Sequence, residues 1–241
     1  MTSSHQNIFN QPVGFPVSGW KPPALPPHTP LEGRYCRVEA LTATEHATAL
    51  YTANTADSGR MWTYLGYGPF AGYGDYKAWV ESVEQSTDPL FYAIVEKSTG
   101  QASGVAAYLR IDRNNGVIEV GHIVYAPRLR RTPAATEAMF LLMDHAFDLG
   151  YRRYEWKCDA LNGPSRAAAQ RLGFSYEGLF RQAVIYKGRN RDTAWYAMTD
   201  QDWPAIKGAF NHWLEPSNFD ERGEQRVALS TLTGPLLVAR G

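Results

Sequence analysis

Residues Val117 to Ala138 read as a strand that runs into a basic turn and then into the start of a helix. The turn holds Arg128, Arg130 and Arg131, and the helix opens with Thr132-Pro133-Ala134-Ala135-Thr136. The first turn of a helix offers backbone N–H groups without partners and the positive end of the dipole. Small side chains let an anion approach that backbone. Guanidiniums beside it add charge in a fork that matches phosphate oxygens. The stretch is a candidate to hold a phosphate or diphosphate. An ordinary solvated basic turn is the competing interpretation.

A second pattern changes the balance. The strand Tyr151–Cys158 leads to Asn162-Gly163-Pro164-Ser165 and on to Leu172-Gly173-Phe174. Together the two stretches resemble the GNAT superfamily of N-acetyltransferases, closest to the ribosomal-protein N-terminal (alanine/serine) acetyltransferase-like branch. That family's diphosphate signature is Arg or Gln, two residues, Gly, one residue, Gly or Ala, often followed by Thr-Glu-Ala. Here it is Arg130, Pro133, Ala135 and then Thr136-Glu137-Ala138. The resemblance spans about residues 34–205. Two departures stand out. Pro133 replaces the usual glycine, which removes a donor but suits a first helical turn. Ala169 stands where many members carry a tyrosine that serves as general acid.

The resemblance implies an α+β GNAT fold: a mixed, mostly antiparallel twisted sheet of about seven strands, with splayed central parallel strands, flanked by helices. It implies acetyl-CoA as co-substrate in the gap between the strands holding Glu119–Tyr125 and Tyr151–Cys158. The pantetheine would pair with the backbone of Ile123, Val124 and Tyr125. The diphosphate would lie against Arg130, Arg131, Pro133, Ala134, Ala135 and Thr136. Asn162 and Ser165 would meet the pantetheine and the sulfur. Gly121 would suit the bulge that opens the splay. An amine would attack directly, and it must shed a proton first. Glu119 is the leading base, because strand alternation puts Glu119, Gly121 and Ile123 on one face. His122 is a second candidate and faces the other way; its imidazole titrates near neutrality. Ser165 could relay a proton to the leaving thiolate, or it could cap a helix. Cys158 is more readily a buried inert thiol than a nucleophile. Lys157, Arg181, Lys187, Arg189 and Arg191 form a late basic group for the nucleotide end or an acidic substrate. The activity implied is acetyl-CoA-dependent transfer of an acetyl group to a primary amine, on a protein N-terminus or a small molecule. The alternative is the same fold binding an acyl-CoA without turnover.

Composition sets outer bounds. The 24 basic residues balance 24 acidic ones, which counts against a nucleic-acid footprint over the whole domain. Hydrophobic residues at 44% and aromatics at 13% supply a sizeable core. No apolar run approaches the roughly 18 residues a membrane helix needs. The N-terminus lacks a secretory pattern. Two cysteines are too few for a disulfide framework or a structural zinc site, so no metal is expected and a reducing cytoplasm is the simplest compartment.

The elements that must position these residues follow from periodicity. Residues 1–33 carry seven of the fifteen prolines and read as an extended arm, with Phe15 and Trp20 as candidate staples. The domain itself is assigned to 34–214. Strands are expected at Arg34–Leu41, Leu90–Glu96, Gln101–Ile111, Val117–Tyr125, Tyr151–Cys158, Ser175–Tyr186 and Asp192–Thr199. Helices are expected at Thr44–Asn54, Asp75–Gln85, Ala134–Leu149, Ser165–Leu172 and from about Asp200. Between the first two helices, Met61–Tyr73 is an aromatic, glycine-rich loop that either walls an acceptor site or packs into the core. Residues 215–241 form a weakly patterned tail, expected to be partly disordered. Arm and tail are candidates to bridge subunits of a homo-oligomer.

Overall fold

A computed structural model describes residues 5–241; residues 1–4 of the arm lie outside the described residues. Two short strands, β1 (His5–Gln6) and β2 (Pro12–Val13), pair as an outlying ribbon. The main sheet contains β3 (Leu31–Glu32), β4 (Cys36–Ala40), β5 (Leu90–Glu96), β6 (Gln101–Asp112), β7 (Val117–Tyr125), β8 (Arg153–Asp159), β9 (Ser175–Tyr186) and β10 (Arg189–Thr199). Their order is β3-β4-β5-β6-β7-β8-β10-β9, and only β7 and β8 run parallel. The sheet thus has eight strands rather than about seven. The extra one, β3, is a two-residue turn-back that periodicity cannot register.

β5 shows why both faces are covered. All seven of its residues are buried. Leu90, Tyr92 and Ile94 enter one core cluster, and Phe91, Ala93 and Val95 enter the other. The first cluster is closed by α3 (Pro133–Asp148), α4 (Gly163–Arg171) and α5 (Trp203–Leu214), and the second by α1 (Ala43–Thr55) and α2 (Tyr73–Val83). Helix starts lie one or two residues earlier than expected in four cases, α3 by one residue at Pro133. Thr42 caps α1, which opens at Ala43, and accepts from the Glu45 N–H. Asn162, not Ser165, caps α4. Tyr73, expected in the loop, opens α2.

Glu137 ties the layers together. Its carboxylate accepts the N–H groups of Arg34, Tyr35 and Cys36 at 2.7, 2.6 and 2.8 Å. That fastens the β3–β4 turn to α3, and Gly33 leaves the room the carboxylate occupies.

Arm and tail are both packed. Trp20 donates its indole N–H to the Asn114 carbonyl (2.9 Å), and Arg152 lies over the rings of Phe15 and Trp20. Arg113 and Tyr151 donate to the Pro23 and Ala24 carbonyls. The expected disorder of the tail is not seen. A short helix, α6 (Leu229–Thr233), buries Leu229 and Thr233, and the Tyr176 N–H donates to the Ala239 carbonyl. Segments this short, with so few apolar side chains, give no periodic signal even where they pack.

Candidate active site

β7 and β8 are in register from Val117–Arg153 to Val120–Trp156 and then part. The cause lies in β7. Against β6, Gly121 pairs with Ala107 and Val124 with Val105, so His122 and Ile123 together oppose Ala106. His122 takes the extra-residue conformation, at φ 49°. The bulge is therefore centred on His122 rather than Gly121. Gly121 stays paired, and its hydrogen faces Leu109.

The bulge also reverses the alternation of side chains. Ile118 and Val120 point into the first core cluster, and Glu119 to the opposite face. After the extra residue it is Ile123 and Tyr125 that join the first cluster, while Val124 joins the second. His122 stacks on Tyr67 (centroids 5.6 Å) and against Phe91 (5.0 Å), also on the second side. So His122 shares a face with Glu119, and Ile123 does not, contrary to strict alternation.

Glu119 is 2% exposed. Arg110 Nη1 lies 2.7 Å from Oε1, and Lys157 Nζ lies 2.9 Å from Oε2 at an angle too poor for a hydrogen bond. Burial raises its pKa, and the two cations draw it only part of the way back. Lys157 also meets Glu155 at 2.7 Å and rests 3.8 Å above the Trp195 ring. It is a buried tie within the sheet face, not part of a late basic surface group. Lys187, from the same expected group, donates to the Trp62 carbonyl (2.6 Å). Arg181 and Arg189 are exposed on the β9–β10 hairpin. Burial, with some help from Arg110, pushes the His122 imidazole down to about 4, so it is neutral at physiological pH.

On the other side of the gap, Ser165 accepts the Trp156 indole N–H at 3.0 Å. The neighbouring Cys158 is buried, and desolvation raises its thiol pKa. Ala169 is fully enclosed.

The basic turn is more committed than its sequence suggests. Arg128 pairs with Glu96 (3.0 Å). Arg130 turns back to Asp57 (2.7 Å) and to the Tyr125 carbonyl (2.8 Å). Thr132 caps α3 and takes the Ala135 N–H, and Pro133 has none to give. Ala134, second in the helix, keeps a donor with no intrahelical acceptor. Arg131 is exposed, with a left-handed backbone at φ 63°. A residue that spacing did not single out completes the spot. Arg171, at the end of α4, reaches Thr136 Oγ1 (3.2 Å), and desolvation lowers its pKa. Among the described residues no carboxylate lies within 4 Å of it. Its signal in the sequence was its place beside Leu172-Gly173-Phe174, which reads as an unremarkable C-terminal cation.

The aromatic loop is mostly core. Trp62 is buried, and Tyr67 stacks on Trp79 at 4.7 Å. Tyr64 is the member that reaches the gap, donating to the Leu161 carbonyl (3.2 Å).

The comparisons agree with this geometry. The sequence pattern described as Acetyltransferase (GNAT) domain matches residues 37–175. A crystal structure of a GCN5-related N-acetyltransferase from Brucella melitensis is 46% identical, with a TM-score of 0.88, covering 90% of this chain and 100% of that one. A probable GNAT-family acetyltransferase from Chromobacterium violaceum is 39% identical, with a TM-score of 0.76, covering 81% and 98%. An uncharacterized N-acetyltransferase, p20, from Bacillus licheniformis is 29% identical over 113 residues, 46% of this chain. The chain spans 63% of the length of that curated relative. No helix among the described residues is long and apolar enough to cross a membrane. With its central strands parted over a helix N-terminus and the matching domain pattern across more than half its length, the chain belongs to the GNAT acetyltransferase family.

Proposed function

We propose that the protein is an acetyl-CoA-dependent N-acetyltransferase that moves an acetyl group directly to a primary amine, on a protein N-terminus or a small molecule. The observation that carries this is the parting of β7 from β8 after Val120–Trp156, with an anion-seeking spot on one side and Glu119 on the other. The residues present fit coenzyme A. A half-buried guanidinium without a carboxylate, Arg171, calls for an anion beside α3, and Arg131 and the Ala134 N–H face the same need. The β7 edge from Ile123 to Tyr125, freed from β8, can pair with amides. When bound, acetyl-CoA supplies an activated acetyl thioester.

The chain's own residues do the rest. An N–H of the bulge, at about Ile123, polarises the acyl oxygen. Glu119 takes the amine's proton through one water; its raised pKa suits a base working near neutrality. Ser165, oriented by Trp156, gives a proton to the departing sulfur. The thiol of Cys158 stays protonated, which favours direct transfer over an acyl-cysteine. Asn162 serves as the α4 cap, accepting the Ser165 N–H, and its backbone would meet the pantetheine. The Asn162 and Ser165 spacing keeps the ribosomal-protein N-terminal branch, and with it a protein N-terminus, among the acceptors. The two free buried cysteines fit work in the cytoplasm.

The test pairs calorimetry with turnover. Acetyl-CoA should bind, and amine-dependent thiol release at pH 7 should fall by about 100-fold or more in Glu119→Ala, with the binding heat retained. Binding without release for any amine would leave the non-turnover reading standing instead. No binding at all would remove both.

A further inference from the structure

Three acidic side chains, Glu119, Glu155 and Asp159, share the face of the sheet that Glu119 occupies. Glu119 has Arg110 and Lys157 beside it, and Glu155 has Arg153 and Lys157. Asp159 has neither kind of partner. It is 4% exposed, and among the described residues no lysine, arginine or histidine nitrogen lies within 4 Å of it. Arg191, on the neighbouring strand, gives its Nε to Thr193 Oγ1 instead (3.1 Å). Buried carboxylates are normally paired with a cation. Here two hydrogen bonds hold the carboxyl group: the Leu161 N–H to Oδ1 and the Tyr186 hydroxyl to Oδ2, both at 2.8 Å. Each oxygen keeps a second lone pair.

Its place matters as much as its charge. On β8, Tyr154, Trp156 and Cys158 face the first core cluster, so Glu155, Lys157 and Asp159 face the Glu119 side. Asp159 lies past the last residue paired with β7. Continuing the register past the extra residue of the bulge sets it level with Val124, just beyond the bulge. Two connections roof it over. Lys187 at the hairpin tip holds the Trp62 carbonyl, and the Tyr64 hydroxyl holds the Leu161 carbonyl. The aromatic loop and the β9–β10 hairpin therefore meet above a buried, cation-free carboxylate at the mouth of the gap.

We propose that Asp159, flanked by Tyr186 and Tyr64, holds the ammonium group of the acceptor amine as it enters the gap. This rests on the acetyl-transfer reading above and names the residue that holds the amine which that reading requires. A primary ammonium has three N–H donors for the spare lone pairs, and phenol rings favour a cation beside them. A hydroxyl or amide gains much less, so the site selects amines over alcohols. The Glu119 carboxylate sits near Gly121, with Oε1 3.7 Å from where a side chain there would begin. That is one side-chain step back along the strands, about 7 Å. Asp159 binds the charged amine, and Glu119 receives the proton through water.

The experiment titrates benzylamine and benzyl alcohol into protein saturated with acetyl-CoA at pH 7, followed by line broadening of the probe. Acetyl-CoA binding is measured first, so that its failure would be seen separately as failure of the transferase reading. Wild type should prefer benzylammonium over the alcohol by at least about tenfold. Asp159→Asn keeps the turn acceptor and should cut that preference below about threefold, with acetyl-CoA affinity and thermal midpoint unchanged. Asp159→Glu should restore part of it. For an amine that is turned over, Asp159→Asn should raise KM with kcat within about threefold. Bound acetyl-CoA with no ammonium preference in wild type, or a preference that survives in Asp159→Asn, would overturn the proposal.

Discussion

His122 is a non-glycine residue held at φ 49°, a conformation that asparagine and histidine tolerate better than most. Its ring is clamped between Tyr67 and Phe91, and that burial sets a pH dependence. The folded imidazole has a pKa of about 4, against 6.5 for a free histidine side chain. Between those values the unfolded chain takes up a proton that the folded chain refuses. Stability therefore falls as pH drops from about 6.5 towards 4, by at most about 1.4 kcal/mol per pH unit from this group. His122→Asn keeps the bulge conformation and should flatten that part of the stability–pH curve, measured by urea unfolding across the window. The arginines make a second contrast at this scale. Arg171→Gln should weaken acetyl-CoA binding by about tenfold or more, the worth of a charge-assisted contact. Arg130→Gln should change that affinity by less than about threefold, because its guanidinium is already spent on Asp57 and the Tyr125 carbonyl. Calorimetry on the two variants gives the comparison directly.

At the scale of elements, the sheet is held to α3 by one carboxylate. Glu137→Gln leaves an amide with half the acceptor capacity facing three N–H groups. The expected loss is about 2–3 kcal/mol, since hydrogen bonds to a charged acceptor are worth about 1.5–3 kcal/mol and orphaned donors add to the cost. Denaturant midpoints at constant m-value would show it. Nothing in the sequence around Glu137 announces this role, because its partners lie a hundred residues away. Local signals fared better. The mostly apolar β5 and the run from Leu172 to Phe174 each fix an element by themselves, while the parted central strands were expected only from the family resemblance. The faces of β7 were not. Alternation is reliable only while pairing is regular, and one extra residue at His122 moves every later side chain to the other side. Lys157 was misplaced for a related reason: its partners sit on β7 and within β8, and a count of late cations cannot see across strands. Asp159 was passed over because a lone aspartate before a turn reads as turn chemistry, which it also performs.

Across the whole molecule, the matched domain pattern ends at residue 175, yet the core does not. The helix α5 buries Trp203, Ile206, Phe210 and Trp213 in the first cluster, and Leu229 of the tail joins them. Thr233 is fully enclosed and donates to the Arg171 carbonyl at 2.9 Å, so the tail braces the same helix end that presents the half-buried guanidinium. Gln170 donates to the carbonyl of Gly241 and Val238 to Ser175 Oγ, which extends the brace along α4 and the start of β9. A chain stopped after Leu214 would lose the contacts of Leu229, Thr233, Val238 and Gly241 while keeping every strand. Removing a fully buried leucine alone costs about 2–5 kcal/mol, and the enclosed hydroxyl and edge hydrogen bonds go with it. That is a large part of the stability of an ordinary domain. The shortened chain should therefore melt well below the full one, and any folded fraction should bind acetyl-CoA more weakly because the end of α4 is loose. Thermal unfolding with and without acetyl-CoA would decide the matter. An unchanged midpoint and an unchanged ligand-induced shift would mean that the tail is a passenger and that α4 holds Arg171 unaided.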